Sequence, residues 1–316
     1  MAEKPDILVI HVSSPKLVPW LQEHFTVHQV PPGIDPVAFA KPIAPRIRGL
    51  LVSTFVGGKR PLIEALPNLE VVVNGGGHYD RTDVDAIVER GLPMGYTPGT
   101  SKGDVAEFTV ALLIHLARRM AEADRFVRAG RWPSASMPFG ESVNHRRVGI
   151  LGMGRIGGVV AKRLAGFDNE IAYFGRGPKP GVPYRYIDSA VELARFADFL
   201  VLTCETSPAT RHIVNAEVLA ALGPEGSVVS VARDAIDEAA LVEALKAKRI
   251  KGAALDVFER EPHVPDALLG MDNVVLTPHV ASAANEAKDA MARLVVDNFV
   301  AHFAGKPLVT PIGDHH

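Results

Sequence analysis

Three residues suited to acid-base and anion chemistry follow three successive apolar runs. Arg233 closes SVVSVA, Glu261 comes after GAALDVF, and His279 closes NVVLTP. An imidazole titrates near about 6.5 and is readily tuned across neutral pH, so His279 is the candidate proton donor or acceptor. A carboxylate beside the ring favours its protonated form and fixes its orientation, and that part falls to Glu261. Arg233 is permanently charged and forked, so it can hold a carboxylate and a ketone oxygen together and stabilise charge developing on the ketone. These are the parts that reduction of a 2-ketoacid needs besides a hydride. Singly, each residue also fits an ordinary role: a paired surface arginine, a turn glutamate before Pro262, a capping histidine after Pro278. Their recurrence at successive strand ends sets them apart.

A hydride source is written into residues 152–157, Gly152-Met153-Gly154-Arg155-Ile156-Gly157, between the apolar run Val148 to Leu151 and a helical segment. After a strand and opening a helix, such a loop gives a tight turn, close backbone approach to a pyrophosphate and a helix amino terminus. Chains that bind NAD carry an Asp or Glu about 20 residues further on, at the end of the second strand, where it accepts from the ribose 2'-hydroxyl. Here the run Glu170 to Phe174 ends in Gly175-Arg176-Gly177-Pro178-Lys179, with no acid. Arg176 suits a 2'-phosphate and Lys179 adds to the positive field, so NADP(H) is the preferred cofactor and NAD(H) a possible one.

The elements that must position these groups are short β-rich runs alternating with helical patterns, which argues for α/β architecture with parallel sheets. Runs begin at 6, 49, 69, 147, 170, 199, 227, 252 and 273, enough for two sheets. Asp104 to Arg128 contains neither proline nor glycine and reads as one long connecting helix. The last helical segment, Ala284 to Phe303, is placed to pack back on the first domain. The expected division is a dinucleotide-binding domain over 99–281 and a substrate domain formed by 1–98 and 282–316.

Composition narrows the partners. A net charge of -2, with basic residues spread along the chain, leaves no footprint for nucleic acid. No apolar stretch reaches the roughly 18 residues needed to span a bilayer, and MAEKPD has no signal-peptide core, so a cytoplasmic protein is expected. One cysteine, Cys204, excludes an internal disulfide and a cysteine-rich metal site, so no metal is expected. The terminal Asp-His-His reads as a solvated tail.

VGILGMGRIG (148–157), ARDAIDEAAL (232–241), GAALDVFEREP (252–262) and TPHVASA (277–283) resemble successive motifs of the D-2-hydroxyacid dehydrogenase family. The likeness runs over nearly the whole chain and is greatest to the glyoxylate, hydroxypyruvate and hydroxyphenylpyruvate reductases. It implies a Rossmann-type doubly wound domain inserted into a flavodoxin-like α/β substrate domain, in a homodimer. The family's arginine, glutamate and histidine fall on Arg233, Glu261 and His279. Further cofactor contacts are expected at Cys204, Thr210, Val231, Ala232, Asp256 and Ala281, with Asp256 facing the nicotinamide carboxamide. Asn74 to Asp80 resembles the family's substrate loop, whose backbone N–H groups hold a carboxylate. Gly77 and His78 would be the donors, with Gly76 adjacent and Phe55 setting side-chain preference.

The sequence also departs from the family. Asp234 stands where glycine is usual, Ser230 where asparagine is, and Glu205-Thr206 where Pro-Leu is. The implied activity is NADPH-dependent reduction of small 2-ketoacids, glyoxylate and hydroxypyruvate first. Two alternatives stand beside it: a member acting on another 2-ketoacid such as phenylpyruvate, and a non-catalytic dinucleotide sensor on the same fold.

Overall fold

The structure, a computed structural model, describes residues 4–313, so the first residues of MAEKPD and the terminal Asp-His-His lie outside it. The chain divides into two compact units, Met1–Ser101 with Ala283–His316, and Lys102–Ser282.

The first unit is built on β1 (Asp6–Val9), β2 (Thr26–Gln29), β3 (Ile47–Ser53), β4 (Val71–Gly75) and β5 (Met94–Tyr96), all parallel in the order β2-β1-β3-β4-β5. Successive side chains of a strand point to opposite faces, so these nearly continuous apolar runs need cover on both sides. Leu8, Leu50, Val52 and Val72 pack with Ile63 and Ile87 on one face. Ile7, Val9, Leu51, Val71 and Val73 pack on the other against Val295, Val296 and Phe299 of the helix Asn285–Phe303. Gly49 makes room for that helix, since a Cβ there would lie 3.0 Å from the Phe299 ring. Removing this fully buried ring would cost about 3–5 kcal/mol.

The second unit carries β6 (Arg147–Leu151), β7 (Glu170–Phe174), β8 (Arg185–Tyr186), β9 (Phe199–Leu202), β10 (Ser227–Ser230), β11 (Gly252–Leu255) and β12 (Val274–Leu276). They form one parallel sheet in the order β12-β11-β10-β9-β6-β7-β8. The strand order reverses between β6 and β9, and a doubly wound sheet opens its ligand crevice at the carboxyl ends beside such a switch. The helices Lys102–Ala117 and Arg155–Ala165 cover one face through Leu112, Leu113, Val160 and Leu164.

One expectation is corrected. The segment from 104 to 128 is two helices, Lys102–Ala117 and Met120–Arg128, broken at Arg119, whose φ of 53° is left-handed. The cause is distant in sequence. The returning chain passes so closely that a Cβ on Gly140 would lie 2.7 Å from the Ala117 carbonyl, and Glu141 N–H donates to that carbonyl at 2.7 Å. Among the described residues no helix is long and apolar enough to cross a membrane.

Candidate active site

β10, β11 and β12 are parallel neighbours, so the segments leaving their carboxyl ends share one edge of the sheet. Arg233, Glu261 and His279 meet there. His279 Nδ1 lies 3.0 Å from the Glu261 carboxylate, and Arg233 Nη2 is 3.6 Å from the same carboxylate. The side chains keep 22% (Arg233), 18% (Glu261) and 29% (His279) of their surface, enough to reach a small molecule without being freely solvated. Burial opposes ionisation of Glu261. It is outweighed by the hydrogen bond and charge of His279, the Phe258 N–H at 3.2 Å and the charge of Arg233, which together hold the carboxyl below its ordinary range. The carboxylate is thus negative across neutral pH. With Nδ1 turned to it, Nε2 is the imidazole nitrogen turned away, the one suited to exchange a proton with a ligand.

His279 occupies a left-handed backbone conformation, φ 54°, which is uncommon for a side chain of this size. Asp256 holds it there. Its carbonyl accepts from His279 N–H at 2.9 Å, and its carboxylate accepts from Val280 N–H and Ala281 N–H at 2.9 Å each and from the Thr277 hydroxyl at 2.6 Å. Asp256 is fully buried, and the work visible for it is to fix the turn that carries the histidine.

The three departures from the family gather behind Arg233. Asp234 has φ 57°, where glycine is at ease and aspartate is among the few other residues tolerated. The Ser230 hydroxyl donates to Ala232 C=O at 3.2 Å and accepts from Ala232 N–H at 3.3 Å, pinning the turn into Arg233. The Thr206 hydroxyl donates to the Arg233 carbonyl at 3.1 Å. In the same loop, the Thr210 hydroxyl bonds the Glu205 carbonyl at 2.6 Å, and the Glu205 carboxylate comes within 4.0 Å of Arg155. Val231 is half-buried and Ala232 buried, so both face the edge chiefly with backbone.

The glycine loop divides its duties by position. Gly152 has φ 102°, and a Cβ there would lie 2.5 Å from Cys204 N, so this turn and the approach of the chain after β9 both require glycine. A Cβ on Gly157 would lie 2.2 Å from Gly152 O, so glycine is what lets the helix start so close to the strand. Gly154 differs: a Cβ would meet nothing within 4 Å, and no side chain caps the helix Arg155–Ala165 that begins there. Open backbone at an uncapped helix amino terminus fits a dinucleotide pyrophosphate. Met153 is buried, Ile156 half-buried and Arg155 exposed. Burial pushes the Cys204 thiol up to about 11, so it stays protonated beside this loop.

Beyond β7, Gly175 is half-buried and Arg176 exposed. The Tyr173 hydroxyl accepts from Lys179 N–H at 2.7 Å, which folds the basic loop back on its strand.

In the first unit, the His78 carbonyl accepts from the Thr54 hydroxyl at 2.6 Å and from the Asn74 amide at 2.9 Å. A Cβ on Gly76 would fall 1.8 Å from Thr54 Oγ1, so only glycine fits. Gly77 and His78 N–H make no backbone hydrogen bond among the described residues, as an anion-holding loop requires. The His78 side chain is exposed, and Phe55 is 45% exposed at the end of β3. Thr54, Asn74, Ser230, Thr206 and Thr277 were not singled out as functional groups from sequence. Asn74 and Thr277 fall inside family-like motifs, and Ser230 and Thr206 stand out as departures.

The chain is similar to known proteins over most of its length. Residues 110–281 match the D-isomer specific 2-hydroxyacid dehydrogenase, NAD binding domain. The chain is 44% identical to the hydroxyphenylpyruvate reductase of Plectranthus scutellarioides over 85% of this chain and 86% of the relative. It is 40% identical to the 2-ketogluconate reductase of Gluconobacter oxydans over 99% and 100%. A solved structure of the NADPH-dependent glyoxylate/hydroxypyruvate reductase of Sinorhizobium meliloti, in complex with NADP and malonate, superposes with a TM-score of 0.89 at 38% identity, covering 98% of this chain and 97% of that one. The chain therefore belongs to the D-isomer specific 2-hydroxyacid dehydrogenases, NAD(P)-dependent oxidoreductases.

Proposed function

We propose that the protein reduces small 2-ketoacids, glyoxylate and hydroxypyruvate first, to 2-hydroxyacids with NADPH. The observation that carries this reading is the continuous contact from Arg233 through Glu261 to His279 at one strand edge. A bound reduced nicotinamide supplies the hydride to the ketone carbon. His279 Nε2 delivers a proton to the ketone oxygen, which becomes the hydroxyl. Glu261, kept ionised, stabilises the protonated ring before transfer and keeps Nε2 aimed outward. Arg233 binds the carboxylate and offsets negative charge on the oxygen as it accumulates. By the likeness of their loop to the family's, the backbone N–H groups of Gly77 and His78 are assigned as donors to a substrate carboxylate.

The cofactor preference rests on the end of β7, where Arg176 stands and the adjoining loop has no acid. We assign the ribose 2'-phosphate to Arg176, with Lys179 adding positive field. Assembly as a homodimer through the second unit is consistent with its exposed Met120, Val127 and Leu269. Consumption of reduced nicotinamide on adding glyoxylate or hydroxypyruvate, with NADPH and NADH in parallel, tests the reading. Rapid NADPH-favoured turnover is expected. No turnover with either ketoacid would leave the sensor alternative standing.

A further inference from the structure

The loop that leaves β9 takes hold of the main chain at Arg233. The Thr206 hydroxyl donates to the Arg233 carbonyl at 3.1 Å, and His212 N–H donates to the next carbonyl, that of Asp234, at 2.8 Å. A parallel bridge continues the contact: Val214 N–H donates to the Ala235 carbonyl at 2.9 Å, and Asp237 N–H to the Val214 carbonyl at 3.1 Å. His212 and Asp234 are both left-handed, with φ 51° and 57°, so the bond between them joins two backbone positions that need holding.

The His212 side chain makes a second tie. Its Nε2 is buried and lies 2.8 Å from the Glu259 carboxylate, at ion-pair distance though not aligned as a hydrogen bond. Glu259 stands in the segment after β11, two residues before Glu261. It is clasped to the start of the helix Glu238–Lys246: Glu259 N–H donates to the Glu238 carboxylate at 2.9 Å, and Glu238 N–H donates to the Glu259 carboxylate at 3.2 Å. Segments that leave the neighbouring strands β9, β10 and β11 are thus joined through one histidine and one glutamate. What this junction controls depends on what is fixed without it. The Glu261 carboxylate has its own anchors, the Phe258 N–H at 3.2 Å and the His279 ring at 3.0 Å. Arg233 comes to 3.6 Å from that carboxylate, beyond hydrogen-bond reach, so this contact alone does not place the guanidinium and the main chain it rises from shares in doing so.

We propose that His212 and Glu259 are positioning residues for the reaction: the pair ties the loop that grips the main chain at Arg233 to the segment that carries Glu261, and so sets the arginine at its working distance from the carboxylate. This inference rests on the assignment of Arg233 and Glu261 to 2-ketoacid reduction. Without the tie, the loop keeps its bonds to the Arg233 and Asp234 carbonyls but is free to shift with them along the sheet edge. A displacement of about 1 Å at a reacting group can cost about 10²-fold in rate.

The test is His212→Asn, which removes the ring while asparagine keeps the left-handed backbone at ease. It is made alone and on Arg233→Ala, and assayed with glyoxylate at saturating NADPH. Alone it is expected to lower kcat/KM by about tenfold. On Arg233→Ala, where no guanidinium is left to place, its further cost should be less than about twofold. Glu259→Gln, which keeps an acceptor for Glu238 N–H, should lower kcat/KM by about threefold and add nothing to His212→Asn. The same pairing with Arg233→Ala makes Glu259→Gln decisive where His212→Asn does not fold. Parent-like kcat/KM in the variant alone overturns the inference. So does an equal loss with and without Arg233, which marks a structural role and removes the positioning role alone. If Arg233→Ala itself keeps parent activity, the assignment of Arg233 falls and the positioning role falls with it.

Discussion

At the carboxyl edge of the second unit the candidate chemistry lies in side chains, Arg233, Glu261 and His279. At the carboxyl edge of the first unit it lies in the backbone, the N–H groups of Gly77 and His78. The supporting contacts are correspondingly reversed. Around His279 and Arg233, side chains of Asp256, Ser230 and Thr206 bond main-chain groups, and the Thr277 hydroxyl donates to the Asp256 carboxylate, so that a reactive side chain is aimed. Around Gly77, the side chains of Thr54 and Asn74 take the His78 carbonyl, so that a run of backbone is shaped. The first kind of site should fail when a functional group is removed, and the second when a Cβ is added.

The largest effects are expected in the side-chain site. His279→Ala and Arg233→Ala should each lower kcat/KM for glyoxylate by about 10²-fold or more, since each group acts on charge that develops during the reaction. Near-parent activity in either variant would remove that residue from the chemistry. Arg176→Ala comes next, with a loss of about 10- to 150-fold confined to NADPH, the span of one hydrogen bond to a charged group. An equal loss with NADH would show that Arg176 does not read the 2'-phosphate. The backbone site answers differently. In Gly76→Ala the new Cβ would sit 1.8 Å from Thr54 Oγ1, so the loop must shift. KM for glyoxylate should rise by about tenfold with a smaller change in kcat, the sign of lost ground-state binding. The smallest effect belongs to His78→Ala, which keeps the N–H: a change in kcat/KM within about threefold is expected. A loss as large as that of His279→Ala would put the His78 imidazole into the mechanism and erase the contrast between the two edges.

What the sequence made legible follows the same division. The strands that were foreseen are apolar on both faces, such as Val71–Gly75 and Phe199–Leu202. β2, β5 and β8 were not. Thr26–Gln29 is half-exposed at a sheet edge, and Met94–Tyr96 and Arg185–Tyr186 are too short to show a period. The break at Arg119 was hidden because its cause, the Gly140-Glu141 segment lying on Ala117, is a contact between distant residues. In the candidate site, the meeting of Arg233, Glu261 and His279 was readable because each follows a strand of one parallel sheet. The hold of Asp256 on the 277–281 turn was not, since it depends on which N–H and O–H groups of a distant segment come within reach of the carboxylate. Asp234 was legible only as an anomaly, and its φ of 57° supplies the reason that glycine is the usual residue there.

The central claim is that Glu261 and His279 act as one proton-donating unit, and the pH dependence of kcat/KM for glyoxylate reduction in the parent and in Glu261→Gln tests it most directly. Reduction takes a proton from His279, so the rate falls as pH rises through titration of the donor. Glu261 is held ionised below the usual carboxylate range, although burial opposes it, through the hydrogen bond and charge of His279. Glutamine keeps the shape and removes the charge. The falling limb should therefore move to lower pH by about one unit or more in Glu261→Gln. A limb at the same pH in both proteins would contradict the account.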